Sequence, residues 1–207
     1  MQSTNARYQE LLASTHRMQT QLYIDNVVYG EEKIMEGSLQ TKNSLFQGDI
    51  PTVGGAVAGE ISVQLLGVLS SSVARMAELR PQVRLVGDSG EPSEWVAQGV
   101  YNVDKRSYNK QTGVLTLHGY DKMLATEQWY TGSVGTGGVT DITIVNRVCT
   151  QVGITLDSET DSFFSASGKK YKVTKPRNYT CRELLQAIAG WYGGNWCMTP
   201  VGKLRLV

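Results

Sequence analysis

The sequence is short of the residues that carry most protein chemistry. It has two histidines and three cysteines in 207 residues. His16 falls in an N-terminal segment of helical pattern and His118 near the end of a strand pattern. Neither has further ligands at metal spacing, so both read as structural or exposed side chains and not as a metal centre. Cys149, Cys181 and Cys197 are an odd set without paired spacing, which reads as reduced thiols of a cytosolic product and not as a disulfide framework. Cys149 and Cys181 sit among apolar helical neighbours, where a thiol serves as a small hydrophobe, so a cysteine nucleophile is not expected. No run approaches the roughly 18 consecutive apolar residues of a membrane helix, and MQSTNARYQELLASTHR lacks the apolar core of a secretion signal. Proline, at five residues, is sparse too.

The glycine-rich stretches also lack what a phosphate loop needs. GGAVAG has no Lys-Ser/Thr behind it, and TGSVGTGG leads into Thr-Asp, so the cation that would hold phosphates is missing. Asp157, Glu159 and Asp161 fall together in what reads as a solvated polar loop and not an acid/base pair. The sequence therefore points away from an enzyme, with no catalytic, cofactor or metal site expected.

What is present is the composition of a globular chain, 41% hydrophobic and 19% charged, with 22 glycines for turns. The formal charge of +1 hides a split. From Ser162 to Val207 there are eight Lys or Arg against the single acid Glu183, so this segment carries 8 − 1 = +7 and the rest of the chain −6. Such a split marks a nucleic-acid face or two surfaces with different neighbours.

Periodicity predicts a helix over residues 1–17, with Tyr8, Leu11 and Leu12 on one face. Strand patterns follow. Ile61, Val63 and Leu65 share a face, and Pro81 opens a strand holding Val83 and Leu85, at a place where a missing N–H is tolerated. YNVDKRSYNKQTGVLTLHGYDKML, residues 101–124, reads as two strands around the NKQTG turn, with Gly113 taking positive φ, then a helix with Asp121 in its first turn. TGSVGTGG, from 131, is the clearest linker. Helical spacing then covers Ile144, Val145, Val148, Cys149 and Val152, with Gly153 as C-cap. Thr180 and Glu183 form a capping box before LLQAIAGWY, and a hairpin ends the chain.

The stretch KKYKVTKPR, residues 169–177, interleaves Lys169, Lys170, Lys172, Lys175 and Arg177 with Tyr171 and, just beyond, Tyr179. That composition fits phosphate contacts and base stacking. The plainer reading, which we prefer, is a strand edge guarded by lysines.

The order of parts resembles the N-terminal half of bacteriophage and prophage tail hub (baseplate hub, tail-tip) proteins, whose fold is shared with the hub part of type VI secretion spike proteins. The residues that carry the resemblance are GGAVAGEISVQLL, EWVAQGVYNVDKRSYNKQTGVLTLHGYDKMLATEQWY, DITIVNRVCTQVGITLD and YTCRELLQAIAGWYGGNWCMTPVGKLRLV. It covers the chain from about Met18 onward and is a likeness of packing pattern, not of an active site. It implies an α+β, β-rich fold: a tube-like antiparallel β-barrel followed by a small α/β domain. The expected division is an N-terminal helix at 1–17, a barrel hub domain at 18–130, a glycine-rich linker at 131–139 and the α/β domain at 140–207, ending before a second barrel. On this reading Trp95, Tyr101, Val103, Leu115, Leu117 and Tyr120 form or close the barrel core, and Leu184, Leu185, Ile188 and Trp191 bury a helix of the second domain.

The resemblance implies a structural component of a virion tail, assembled in the bacterial cytoplasm. It implies a homo-oligomer, trimeric when full length, around a channel that DNA crosses without specific binding. The partners would be the tail tube or distal tail protein, the tape measure protein, and a tip or fibre protein, with no membrane insertion. Two other readings stay open: a nucleic-acid module through 169–177, and the non-catalytic N-terminal part of a tail-associated peptidoglycan hydrolase.

Overall fold

A computed structural model describes residues 4–88, 90–133, 137–167 and 171–207. The chain divides into two compact units, the first made of residues 1–42 and 60–120, the second of residues 43–59 and 121–207. The sequence had suggested a boundary at 131–139; residues 134–136 of that stretch lie outside the described residues.

The first unit opens with α1 (Ala6–Leu12), followed by β1 (His16–Ile24), β2 (Val27–Tyr29), β3 (Gln40–Lys42), β4 (Glu60–Leu66), β5 (Glu78–Gly87), β6 (Val96–Ala97), β7 (Tyr101–Asn109) and β8 (Val114–Asp121). The helix is shorter than the periodicity predicted. Asn5 caps it, accepting from Tyr8 N–H. It yields to a strand by His16 because His16 to Ile24 pair with β5 along their whole length, out to His16 opposite Gly87. That ladder overrides the helical pattern of the last residues.

The strands form one antiparallel sheet in the order β2-β1-β5-β7-β8-β4-β3, with β6 on β5. Among the described residues β2 and β3 are not paired with each other. The chain between them nevertheless reaches β4: Ile34 bridges Leu65, Met35 N–H donates to Gln64 O at 2.9 Å and Leu66 N–H donates to Lys33 O at 2.8 Å. Segment 27–42 is thus bonded to β1 at its start and to β4 further on.

The β7–β8 turn is built as its residues predict. Asn109 Oδ1 accepts from Gln111 and Thr112 N–H, and Gly113 takes φ +67°, where a side chain would be strained. Alternation then sends Leu115 and Leu117 inward and Val114, Thr116 and His118 outward. The inward residues of β1, β4, β5, β7 and β8 join Ile34, Val68, Val73 and Ala77 in a single buried cluster drawn from this unit alone. Each large aliphatic side chain there contributes about 1.5–3 kcal/mol.

The second unit holds β9 (Val139–Thr140), α2 (Asp141–Val152), β10 (Thr155–Leu156), α3 (Ser158–Ala166), β11 (Lys172–Val173), α4 (Cys181–Tyr192), β12 (Trp196–Met198) and β13 (Lys203–Leu206). β10 and β12 flank β13, and β9 pairs with β11. Two caps match expectation: α2 ends at Gly153 with φ +67°, and Thr180 with Glu183 closes a complete capping box on α4. Two elements differ. Residues after Tyr120 form a 3-10 turn, Lys122–Glu127, and not an α-helix, with Asp121 as its N-cap. The expected polar loop is α3: Asp157 accepts from Glu159 N–H as N-cap, and Glu159 and Asp161 sit in the first turn against the positive end of the dipole.

Into this unit comes a stretch from far upstream. Gly54 N–H donates to Gly194 O and Trp196 N–H to Gly55 O, both at 2.8 Å, and Ala56 bridges Trp196 in parallel. The residues before β4 therefore extend the small sheet at β12. Trp196 is fully buried, its indole N–H donating to Leu185 O at 2.7 Å, and Ala56 shares its cluster.

Candidate functional site

Of the residues expected to build the first core, Tyr101, Val103, Leu115 and Leu117 are buried. Trp95 and Tyr120 are not core residues. Trp95 is half-buried beneath the Arg84 guanidinium, 4.4 Å from its ring centroid. Tyr120 is half-buried on the outward face of β8, because it shares the parity of His118. In α4, Leu184, Leu185 and Ile188 are buried, whereas Trp191 is 38% exposed and lies 5.1 Å from the Tyr171 ring. α4 follows the helical spacing, but Trp191 falls at the margin of its apolar stripe, where an amphipathic ring settles readily.

The groups with chemical potential are placed as follows. His16 is exposed, its Nδ1 2.8 Å from Ser14 O. His118 stands edge-on to Tyr120 at 4.9 Å, with Nε2 3.8 Å from Glu60. Among the described residues no group of three His, Cys, Asp or Glu could hold a metal ion. The three thiols are free, Cys149 and Cys181 buried. Burial pushes both of those up to about 11, so at neutral pH they are protonated and weak as nucleophiles.

Asp157 does not pair with Glu159 or Asp161. Burial pushes its carboxyl up, but the Arg205 side chain, bonded at 3.1 Å, and the Glu159 N–H outweigh that and hold it below the usual range. Glu159 reaches the same guanidinium at 3.4 Å. The acids thus anchor β13 to the start of α3.

Two buried carboxylates were not anticipated as such. Asp141, at the first position of α2, accepts from Ile142 N–H, Tyr171 N–H and the Tyr192 hydroxyl at 2.6 Å. Burial, with this carboxylate beside it, pushes the Tyr192 phenol up to about 12. Asp121 is 6% exposed and accepts from Gly59 N–H at 2.8 Å and Met123 N–H at 2.9 Å. Desolvation raises it to about 6 against the pull of those bonds and of Arg182. The signal in sequence was an Asp directly after a strand's Gly-Tyr, which reads as a cap but says nothing about burial.

The basic stretch divides. Lys169 and Lys170 lie outside the described residues. Lys172, Lys175 and Arg177 are exposed, but Arg177 spends its Nε–H on Gly132 O at 3.1 Å. Tyr171 packs against the rings of Trp191 and Tyr192. Tyr179 remains, 45% exposed, beside Trp129 at 64%; their segments pair through Trp129 and Thr180.

The most exposed features are sheet edges and apolar side chains. In the first unit, β2 is an edge strand with Val27 and Val28 exposed, and β3 is an exposed edge at the other end of the ladder. Thr20 N–H, on the β1 flank that β2 does not cover, is capped by the Glu31 carboxylate at 3.2 Å. In the second unit, Leu45, Ile50 and Val53 stand exposed on the stretch that begins at Asn43. Edges and exposed apolar loops of this kind are where other chains add on.

No protein-family model matches the sequence, and no curated protein matches it. In three dimensions the chain is similar to the 43 kDa tail protein of prophage MuSo2 from Shewanella oneidensis, with a TM-score of 0.55 and 13% identity, over 91% of this chain and 54% of that one. It is also similar to the tail protein from Neisseria meningitidis MC58, with a TM-score of 0.51 and 13% identity, over 91% of this chain and 50% of that one. The chain spans about half the length of these two proteins. At such identity the likeness is one of fold.

Proposed function

We propose that this chain is part of the hub at the tip of a phage or phage-like tail, a structural element that seats on the tail tube and hands over to a tip or fibre protein. The observation that carries this is the fold itself: 91% of the chain superposes on each of two tail proteins. A strand-rich unit followed by a small α/β unit is also the order of parts that the tail-hub resemblance implies.

The first unit supports the barrel-like part of the reading. Its apolar cluster has almost no solvent access, with Leu22, Val63, Leu65, Leu79, Leu115 and Leu117 all at 0%. A sheet buries one whole face using only its own residues when it curls around them. Segment 27–42, bonded to both β1 and β4, is the closing piece in this reading. A barrel of about eight strands is just wide enough for its side chains to fill. The channel is then not inside one barrel but enclosed by several copies, lined by outward, polar faces such as Gln64, Thr116 and His118.

On this reading the partners are further copies, three in the full-length assembly, with the tail tube or distal tail protein, the tape measure protein, and a tip or fibre protein. The work is done in the virion tail after assembly in the bacterial cytoplasm, by a protein that is not itself an enzyme. Native mass measurement and negative-stain imaging of the full-length polypeptide test it. Rings of three copies around an open centre are expected. A monomer that fails to associate with its cognate tube protein overturns the hub reading.

A further inference from the structure

The chain passes between the two units three times, at Lys42–Asn43, Gly59–Glu60 and Tyr120–Asp121. The residues next to these crossings are paired inside each unit. Glu60 lies opposite Tyr120 in the β4–β8 ladder. One step further, Asp121 N–H donates to Gly59 O at 2.9 Å, and Gly59 N–H donates to Asp121 Oδ2 at 2.8 Å. The first crossing reaches the same point: a Cβ on Gly59 would collide with Asn43 Oδ1 and would stand 2.8 Å from Asp121 Oδ2. A side chain at this position would have to displace the Asn43 amide or the Asp121 carboxylate. The other carboxylate oxygen, Oδ1, accepts from Met123 N–H at 2.9 Å and starts the 3-10 turn. One buried side chain thus binds the end of the 43–59 excursion and the beginning of everything after β8.

We propose that Asp121 is a proton-operated clamp within the second unit, which holds the Gly59 and Met123 amides when ionised and loosens one of them when protonated. The reason is valence. A carboxylate has two accepting oxygens and satisfies both amides at once. A carboxylic acid keeps one good acceptor and turns the other oxygen into a hydroxyl that donates and accepts only weakly, so one amide bond is weakened. The proton comes from solvent and returns to it.

The surroundings favour operation near neutral pH. Burial lifts the carboxyl to about 6, outweighing the two amides and Arg182. Arg182, from α4, is itself shared: it pairs with Glu127 at 2.6 Å and donates to Met123 O at 2.8 Å. From β12 the Cys197 thiol faces the same region, raised chiefly by burial, with Asp121 adding to it. Lys122 is turned to Gly153 O at 2.9 Å. In the adjoining strands, Glu60 and His118 approach each other at 3.8 Å.

The test is nuclear magnetic resonance on the labelled chain. The Asp121 carboxyl carbon should titrate with a midpoint near 6. Over that transition, protection of the Gly59 or Met123 amide, corrected for intrinsic exchange, should fall roughly tenfold. Asp121→Asn, with one accepting oxygen at every pH, should show the low protection throughout. Should that variant fail to fold, the wild-type measurement alone decides. A midpoint at the ordinary carboxylate value, or a titration that leaves both amides equally protected, overturns the clamp. So does an Asp121→Asn chain that keeps the wild-type pH dependence. None of these outcomes bears on the tail-hub reading, which rests on fold and not on Asp121.

Discussion

The two units bury their cores by different means. The first core is aliphatic apart from Tyr101, and comes mostly from strands, with Ile34, Val68, Val73 and Ala77 added from the connections between them. The second combines helix stripes with the rings of Tyr130, Phe164 and Trp196, and takes in Ala56 and Met123 from outside its helices. In the first unit, the inward faces of β4 and β8 follow from their own period-2 patterns. In the second, the central ring, Trp196, is matched to a residue 140 positions upstream, Ala56. A core read from local pattern and a core assembled from distant pieces should fail differently.

The sharpest break of this comparison is Leu117→Asp in the first unit. Leu117 is fully buried, and loss of such a side chain alone costs about 2–5 kcal/mol before the unpaired carboxylate is counted. The first unit should lose its cooperative melting transition, while Lys110→Asp in the exposed β7–β8 turn should stay within about 0.5 kcal/mol of wild type. Equal shifts from the two changes, followed by circular dichroism, would overturn the inward assignment of Leu117.

Trp196→Ala is the matching change in the second unit. Losing the buried ring and its bond to Leu185 should cost about 3–5 kcal/mol and shift the transition of the second unit by more than that of the first. Amide exchange resolves the two. A uniform loss of protection across both would mean that the units do not fold as separate cores.

Proton linkage gives a third, smaller effect. Asp121 carries a raised pKa of about 6 in the folded state, so between the unfolded value and 6 the folded chain binds more protons than the unfolded one. This group's effect on stability therefore diminishes folding as pH rises through that window and is constant above it, with a total on the order of 2–3 kcal/mol. Denaturant melts across the window should show that decline in wild type and not in Asp121→Asn. Asp157, held below the usual range by Arg205 and the Glu159 N–H, acts in the opposite sense, since its contribution is lost as pH falls.

Thr180→Ala should remove the capping box and cost about 1 kcal/mol, read as a lowered midpoint for the second unit with the first unchanged. The smallest effect concerns nucleic acid. Replacing exposed Lys172 and Lys175 by Ser should leave DNA retention weak and its salt slope shallow, as in wild type. If these two residues made phosphate contacts, their loss would reduce the log–log slope by about 2.

Much of the fold was legible because its causes are local. The β7–β8 turn follows from Asn109 and Gly113, the inward face of β8 from Leu115 and Leu117, and the start of α4 from Thr180 and Glu183. Where sequence and structure differ, the cause is either a distant partner or a weak local pattern. β1 took residues from the predicted helix because β5 offers a partner out to Gly87. α3 looked like a loop because SETDSFFSA has little apolar periodicity, and only its cap and acidic first turn marked it. Trp191 belonged to the helix but not to the core.

By itself, then, the sequence determined which segments are strands or helices wherever period, turn and cap agreed, and it excluded a metal or phosphate motif at ordinary spacing. Tertiary structure alone decided that residues 43–59 belong with the second unit, that Tyr171 packs on Trp191 and Tyr192, and that Asp121 is buried. Those facts depend on contacts between residues far apart in the chain. Periodicity and capping report only what a residue does to its near neighbours, whereas burial and a shifted pKa are set by whatever the folded chain brings alongside.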